Sequence, residues 1–366
     1  MLILSFRCSY LCCHIHYFMQ KHCFAVFAFI LISLAGFSQK NQYKVAVAAF
    51  YNCENFYDTV HNLSVNDVEF LPTSEKKYNS AVYFDKVKHL ATVISQIGVD
   101  INSVGIAFLG VAEIENDTVL NDLIHHPLLK NRNYRFVHYD SRDARGVDVA
   151  LIYNPNYFTV TASKPLQVRF SEDSKDVYYT RDVLFVQGKL DGETVNIYVN
   201  HWPSRLGGEE RSAPARAAAA MVCKHHMDSI LKIRPNEKFI IMGDLNDDPI
   251  SASITEVLNA KDKIKDVKSG GLYNPWTELY KKGLGTLAYQ DAWGLFDQII
   301  ISQAWLPKQQ SGFFFYRQHI FNKDFMIETR GRYKGYPMRT WDGNNYRGGY
   351  SDHFPTYIVF LKKFLR

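Results

Sequence analysis

With 366 residues, 47% of them hydrophobic and 14% aromatic, the chain can build a sizeable core in one large or two medium domains, which excludes a disordered or low-complexity polypeptide. Its formal charge of +5 is too small to demand a polyanionic partner and positive enough to permit an anionic substrate. Four of the six cysteines (Cys8, Cys12, Cys13, Cys23) fall in the first 23 residues, so Cys53 and Cys223 read as two isolated buried thiols rather than a disulfide framework.

Residues 1–38 stand apart. They hold Arg7 and Lys21, no acidic residue, and the 15-residue apolar run CFAVFAFILISLAGF, which is short for a membrane span. With Gly36 and Ser38 near its end, this segment reads as a signal peptide, Met19 being a possible start, and implies an exported protein, periplasmic or secreted. An uncleaved anchor is the bland alternative. Residues 39–366 then carry +3, show no linker or repeat, and are expected to form a single domain.

Strand-like and helical patterns alternate from there. KVAVAAFYN (44–52) reads as a buried strand. Phe84, Val87, Leu90, Ile94 and Ile97 recur at helical spacing, predicting a helix over 84–98 that stops at Gly98. IAFLGVAE (106–113) is the next buried strand, and a helix begins at Thr118 and ends near Pro127. Strands at 134–140, 146–153 and 194–202 precede an alanine-rich helix with Pro214 in its first turn; strands at 238–244, 296–302 and 356–361 complete the series. FFFYRQHIF (313–321) reads as a core strand rather than a membrane-inserting edge. Strands joined by helices together with strands joined by turns favour an α/β (α+β) sandwich over a doubly wound parallel sheet.

Polar residues stand where these apolar runs end. They are Asn52 and Glu54 in YNCENF, Glu113 in LGVAEIEN, Asn200 and His201 in VNHWPSR, Asp244 and Asn246 in IIMGDLND, Asp297 in FDQIIIS, and Ser351, Asp352 and His353 in YSDHFPTY. Carboxylates, amides and imidazoles brought from several strand ends to one rim are the parts of a metal-assisted phosphate-ester hydrolase. A strand-end carboxylate such as Glu113 suits a hard cation, and Mg²⁺ often takes only one or two protein carboxylates. Asn52 can orient a phosphate oxygen or a bound water without adding charge. Asp244 can orient or deprotonate the attacking water, and Asn246, on the same side, can donate to the phosphate. Asp352 is an extra metal or water ligand. Gly207 and Gly208 allow close backbone approach, and Arg205 or Arg211 can fork onto a phosphate. Glu115 reads as a solvent-facing or structural residue, and Asp247 and Asp248 as caps of a following helix. Each residue alone has an ordinary structural reading; the ordered set carries the argument.

In order and local context these motifs resemble the endonuclease/exonuclease/phosphatase superfamily, the deoxyribonuclease I-like enzymes, over essentially all of 44–364, with GDLND after IIM the most specific segment. The resemblance implies a four-layer sandwich of two mixed β-sheets face to face with helices outside. It implies a metal site of Asn52, Glu113 and Asp352, with Mg²⁺ as cofactor and Mn²⁺ or Ca²⁺ as alternatives. It implies catalytic roles for His201, Asp244, Asn246, Asp297 and His353. In that reading Asp297 holds one nitrogen of His353 so that the other faces the substrate, and His201 hydrogen-bonds or protonates ester oxygens. Arg145, or Arg142, is implied to contact phosphate, with Arg205 a second substrate-binding candidate. The implied activity is a divalent-metal-dependent phosphodiesterase, first of all a nuclease acting on nucleic acid, chiefly DNA, as a monomer with no stable protein partner and no membrane span in the mature chain. A phosphatase or phosphodiesterase on a phospholipid, inositol phosphate or other small ester is the alternative, and a non-catalytic binding protein a remote one.

Two stretches depart from the compact pattern. The insert at 58–79 carries Asp58, Asp67 and Glu69 and reads as a substrate-lining loop, or as a second cation site if its carboxylates converge. YKGYPMRTWDGNNYRGGY (333–350) sets rings and guanidinium groups before Asp352, where they can stack on bases or grip phosphates. Contiguous Ser351, Asp352 and His353 cannot form a triad among themselves and no G-x-S-x-G elbow is present. No Walker loop, G-x-G-x-x-G motif or zinc-type Cys/His spacing occurs.

Overall fold

Two six-stranded sheets stack through an apolar interlayer. The computed structural model describes residues 42–170, 179–307 and 312–364, so the leader expected at 1–38 lies outside the described residues. In chain order the elements are β1 (Tyr43–Phe56), α1 (Ser80–Gln96), β2 (Phe108–Ile114), α2 (Asp117–His125), β3 (Arg135–His138), β4 (Asp148–Tyr153), β5 (Phe158–Leu166), β6 (Val183–Leu190), β7 (Glu193–His201), α3 (Glu209–Leu231), β8 (Lys238–Asp244), β9 (Leu272–Tyr273), α4 (Thr277–Lys281), β10 (Leu287–Tyr289), β11 (Ala292–Gly294), β12 (Asp297–Ser302), β13 (Phe314–Ile320), β14 (Trp341–Asp342), β15 (Asn345–Tyr346) and β16 (Thr356–Lys363). Lys44–Lys362 make one compact unit; in the other, the Phe364 N–H donates to the Gln42 carbonyl at 2.9 Å.

One sheet has the order β13-β16-β1-β2-β4-β3 and the other β5-β6-β7-β8-β12-β9. At the centre of each lies a parallel pair, β1 with β2 and β7 with β8, while β2–β4, β3–β4, β13–β16, β5–β6, β6–β7, β8–β12 and β9–β12 are antiparallel. Side chains alternate across each strand. Ala46, Ala48 and Phe50 of β1 therefore pack into the interlayer with Val199, Ile240 and Met242, while Val47, Ala49 and Tyr51 pack with Val87, Leu90 and Ile94 of α1 and Leu123 of α2. On the far side Tyr198, Phe239 and Ile241 pack with Ala219, Ala220, Cys223 and Met227 of α3. This is the four-layer sandwich implied by the resemblance.

The helices start earlier than their apolar spacing predicts. Asn79 caps α1 by accepting from the Ala81 and Val82 N–H groups at 3.0 and 3.2 Å, and Asn116 caps α2 in the same way. α3 begins five residues before Pro214, which lies inside the helix rather than at its first turn. FFFYRQHIF does form a strand, but at a sheet edge, with Phe313 and Phe314 buried and Tyr316 exposed. Cys53 and Cys223 are free and buried. No helix among the described residues is long and apolar enough to cross a membrane.

Candidate active site

The two parallel pairs end at one rim. Asn52 stands opposite Ala112 in the β1–β2 ladder, and His201 opposite Asp244 in the β7–β8 ladder. β12 begins there too, with Asp297 opposite Asp244. The turn before β16 is tied to β1, because Ser351 Oγ donates to the Asn52 carbonyl at 2.7 Å and accepts the His353 N–H at 3.1 Å.

Glu113 has φ +59°, and the ladder register shifts between Ala112 and Ile114. A bulge of this kind re-aims a side chain at a sheet rim. Glu113 Oε2 accepts the Asn55 N–H at 2.8 Å and lies 3.4 Å from Arg145 Nη2, while Oε1 lies 3.8 Å from His201 Nε2. Burial pushes this carboxyl up, but Arg145 and His201 outweigh it and hold it below its ordinary value. Arg145 also donates to Asn55 Oδ1 at 2.6 Å, and 45% of its side chain is exposed at the rim.

Asp244 is central. Its Oδ1 accepts the Asn246 N–H and its Oδ2 accepts Asn52 Nδ2, both at 3.0 Å. The same Oδ2 lies 3.7 Å from His201 Nε2 and 3.9 Å from His353 Nε2. Burial pushes the Asp244 carboxyl up to about 6, against the pull of His353. His353 Nδ1 donates to Asp297 Oδ2 at 2.7 Å, and that oxygen also accepts from Thr286 Oγ1 at 2.6 Å. Burial alone would lower the His353 pKa, but the Asp297 and Asp244 carboxylates reverse it and hold the ring well above its ordinary value. His201 is pushed well below, first by burial and then by Arg181. The two imidazoles are therefore pushed in opposite directions from the ordinary histidine value.

Two donor sets compete for a cation. Asp244, Asp297 and His353 offer atoms within 4.8 Å of one another. However, Asp297 Oδ2 and His353 Nδ1 are taken up with each other, and Thr286 holds the same oxygen. Glu113 is kept ionised, and the oxygens of Asn52 and Asp352 belong to the same rim; hard oxygen donors of this kind fit a Mg²⁺-type ion. Asp352 Oδ2 accepts from Arg339 Nη2 at 2.9 Å, and its Oδ1 lies 3.9 Å from His353 Nε2.

Several expected residues have partners within the fold. Arg205 Nε donates to the Asn246 carbonyl at 2.9 Å, its Nη atoms reach Glu209 at 2.8 Å and Asp248 at 3.1 Å, and the group covers Phe296. Its guanidinium braces the loop after β8. Asn246 donates from Nδ2 to the Trp202 carbonyl at 2.9 Å, so its amide ties the ends of β7 and β8 together. Asn200 bridges the Met242 carbonyl and Trp202 Nε1 beneath the rim, and Glu54 is buried, accepting the Thr340 N–H at 2.7 Å. Asp247 and Asp248 cap no α-helix; Asp247 pairs with Arg216 at 2.7 Å, and Asp248 accepts the Leu295 N–H at 2.9 Å. The insert's carboxylates do not converge, since Asp58 accepts from Asn116 at 3.0 Å, Asp67 from the Asn62 N–H at 2.7 Å, and Glu69 pairs with Lys76 at 3.0 Å.

Sequence reasoning passed over Thr286 and Arg181. Buried Arg181 pairs with Asp143 at 3.0 Å and donates to the His201 and Trp202 carbonyls at 3.2 and 2.7 Å. Neither residue ends an apolar run, so no local signal marks it. Lys86 of α1, fully buried 3.9 Å from Glu54 Oε2, was hidden in a helical pattern.

A sequence profile described as the Endonuclease/Exonuclease/phosphatase family matches residues 47–363. The chain belongs to that family, a class of metal-dependent phosphoric ester hydrolases. Among solved structures, an endonuclease/exonuclease/phosphatase family protein from Bacteroides thetaiotaomicron superposes with a TM-score of 0.54 at 17% identity, covering 88% of this chain and 97% of that one. A mannosyl-6-phosphatase from Bacteroides thetaiotaomicron VPI-5482 gives 0.53 at 17% identity, covering 86% and 99%. Humanized D. rerio TDP2 carrying 14 mutations gives 0.52 at 13% identity, covering 86% and 98%. These likenesses show the fold. No curated protein sequence matches the chain significantly.

Proposed function

We propose that the rim hydrolyses a phosphate ester by in-line attack of water, with Glu113, Asn52 and Asp352 holding a divalent cation, Mg²⁺ before Mn²⁺ or Ca²⁺. Bound there, the cation offsets charge on the phosphate oxygens. The observation that carries the reading is Asp244 Oδ2, a buried carboxylate oxygen 3.7 and 3.9 Å from the imidazoles of His201 and His353, the second of them aimed by Asp297 at 2.7 Å. Environments that push such groups apart assign acid and base. Asp244, aligned by Asn52 and Asn246, orients the water and takes its proton. His353, kept protonated and aimed by Asp297, protonates the leaving oxygen. Neutral His201 hydrogen-bonds a phosphate oxygen, and Arg145 reaches the phosphate from the rim.

Two substrate classes use this chemistry unchanged. The sequence puts nucleic acid first, as a nuclease substrate. The walled space beside Asp352 favours a small phosphate ester, which we place ahead of DNA. The leader composition supports export of a single domain, 39–366.

Purified protein would be assayed with p-nitrophenyl phosphate, bis-p-nitrophenyl phosphate and supercoiled plasmid, with Mg²⁺ and with EDTA. We expect hydrolysis that EDTA abolishes and that His353→Ala lowers by about 10²–10⁴ while its circular dichroism stays native. Full activity in that variant, or indifference to EDTA, sinks the proposal. Glu113→Gln should raise the Mg²⁺ concentration for half-maximal rate by about tenfold or more.

A further inference from the structure

A pocket of about 370 Å³ opens beside Asp352. Its walls are the tip of the β10–β11 hairpin, the loop 328–337, and Arg339. Internal hydrogen bonds fix those walls. The Glu328 N–H donates to the Tyr336 carbonyl at 2.9 Å and the Gly335 N–H to the Glu328 carbonyl at 2.8 Å, which pinches the loop. Tyr336 Oη donates to Asp291 Oδ1 at 2.6 Å and accepts the Asp291 N–H at 2.7 Å, joining the loop to the hairpin.

The pocket takes one ring and not a duplex. Its lining holds Asp291, Glu328 and Asp352 with Arg332 and Arg339; Arg339 is paired with Asp352 and Glu328 with Arg347, so there is no basic surplus for a polyanion to follow. Tyr333 and Tyr336 stand at 50° to each other with centroids 5.8 Å apart, which makes no flat slot for a planar base. Carboxylates accept from hydroxyl groups, and aromatic faces pack on an aliphatic ring.

We propose that this pocket binds the hydroxylated ring of a sugar phosphate, with the phosphate at the Asp352–His353 end, so that the substrate is a sugar phosphate monoester. The inference rests on the phosphoesterase reading and adds the leaving group to it.

The test compares kcat and KM for hexose 6-phosphates, p-nitrophenyl phosphate, thymidine 5′-monophosphate and plasmid DNA on the full protein with Mg²⁺, and on Tyr333→Ala and Tyr289→Ala. Tyr289 is 72% exposed, so its variant keeps the fold. We expect kcat/KM for a hexose 6-phosphate to exceed that for p-nitrophenyl phosphate, and Tyr333→Ala to cut that ratio by about tenfold, mainly through KM, as loss of one ring contact would. A ratio unmoved by both variants overturns the proposal, as does a wild type that prefers the nucleotide or DNA. Turnover of p-nitrophenyl phosphate judges the phosphoesterase reading separately. If nothing is hydrolysed, calorimetric titration with the hexose 6-phosphate still decides the pocket: binding that Tyr333→Ala abolishes supports it, and no binding overturns it.

Discussion

Asp297 accepts from His353 Nδ1 at 2.7 Å and raises the pKa of a ring that burial alone would lower. Asp297→Asn removes that charge and frees the ring to change tautomer. The expected result is a kcat lower by about 10²–10⁴, with the pH–rate limb of His353 moved to lower pH. An unmoved limb would place His353 outside the titrating step. Arg181 acts from below, and its test is stability. Arg181→Met leaves Asp143 buried and unpaired, which should cost about 3–5 kcal/mol in urea unfolding, because breaking one side of a buried pair strands the other. The polar strand-end residues were legible as an ordered set. Their partners were not: Arg181 is 20 residues from His201, and Thr286 is 11 from Asp297.

At the scale of elements, the insert after β1 is anchored by β2. Glu115, just past the end of β2, accepts the Asp58 N–H at 2.7 Å, in keeping with its structural reading, and burial pushes its carboxyl up to about 7 from an ordinary 4.5. The folded state thus holds a proton that the unfolded state has released, and stability from this group, full below pH 4.5, is lost as pH rises through 7. Glu115→Gln should flatten the fall of Tm between those pH values; an unchanged slope would mean that the carboxyl titrates normally. Strand positions were readable because buried strands are continuous apolar runs. Helix starts were misread because Asn79 and Asn116, the capping residues, precede the first apolar position, and Glu209 of α3 lies among charged residues that look like loop. β13 read as core from its aromatics, yet sheet order puts it at an edge.

Across the whole molecule, the site depends on how closely the two sheets approach. A Cβ on Gly110 of β2 would come within 2.6 Å of Met242 Sδ and 3.0 Å of Val199 Cγ1 in the facing sheet. Gly110→Ala should force the layers apart, costing about 1–3 kcal/mol in urea unfolding and lowering kcat as the β1–β2 and β7–β8 ends separate; native stability and rate would show that the interlayer yields. The sequence by itself determined the buried strands and the roster of polar residues at their ends. Apolar runs such as 44–52 and 238–244 require burial on both faces, and the polar residue ending each run must emerge at a strand end. Only the tertiary structure decided which charges meet. Arg205 turns to Asp248, Arg339 pairs with Asp352, and the two imidazoles are pushed to opposite sides of their ordinary pKa. The reason is physical: a side chain's protonation and partners are set by the field and hydrogen bonds of neighbours brought together by folding, and no local pattern along the chain encodes those neighbours.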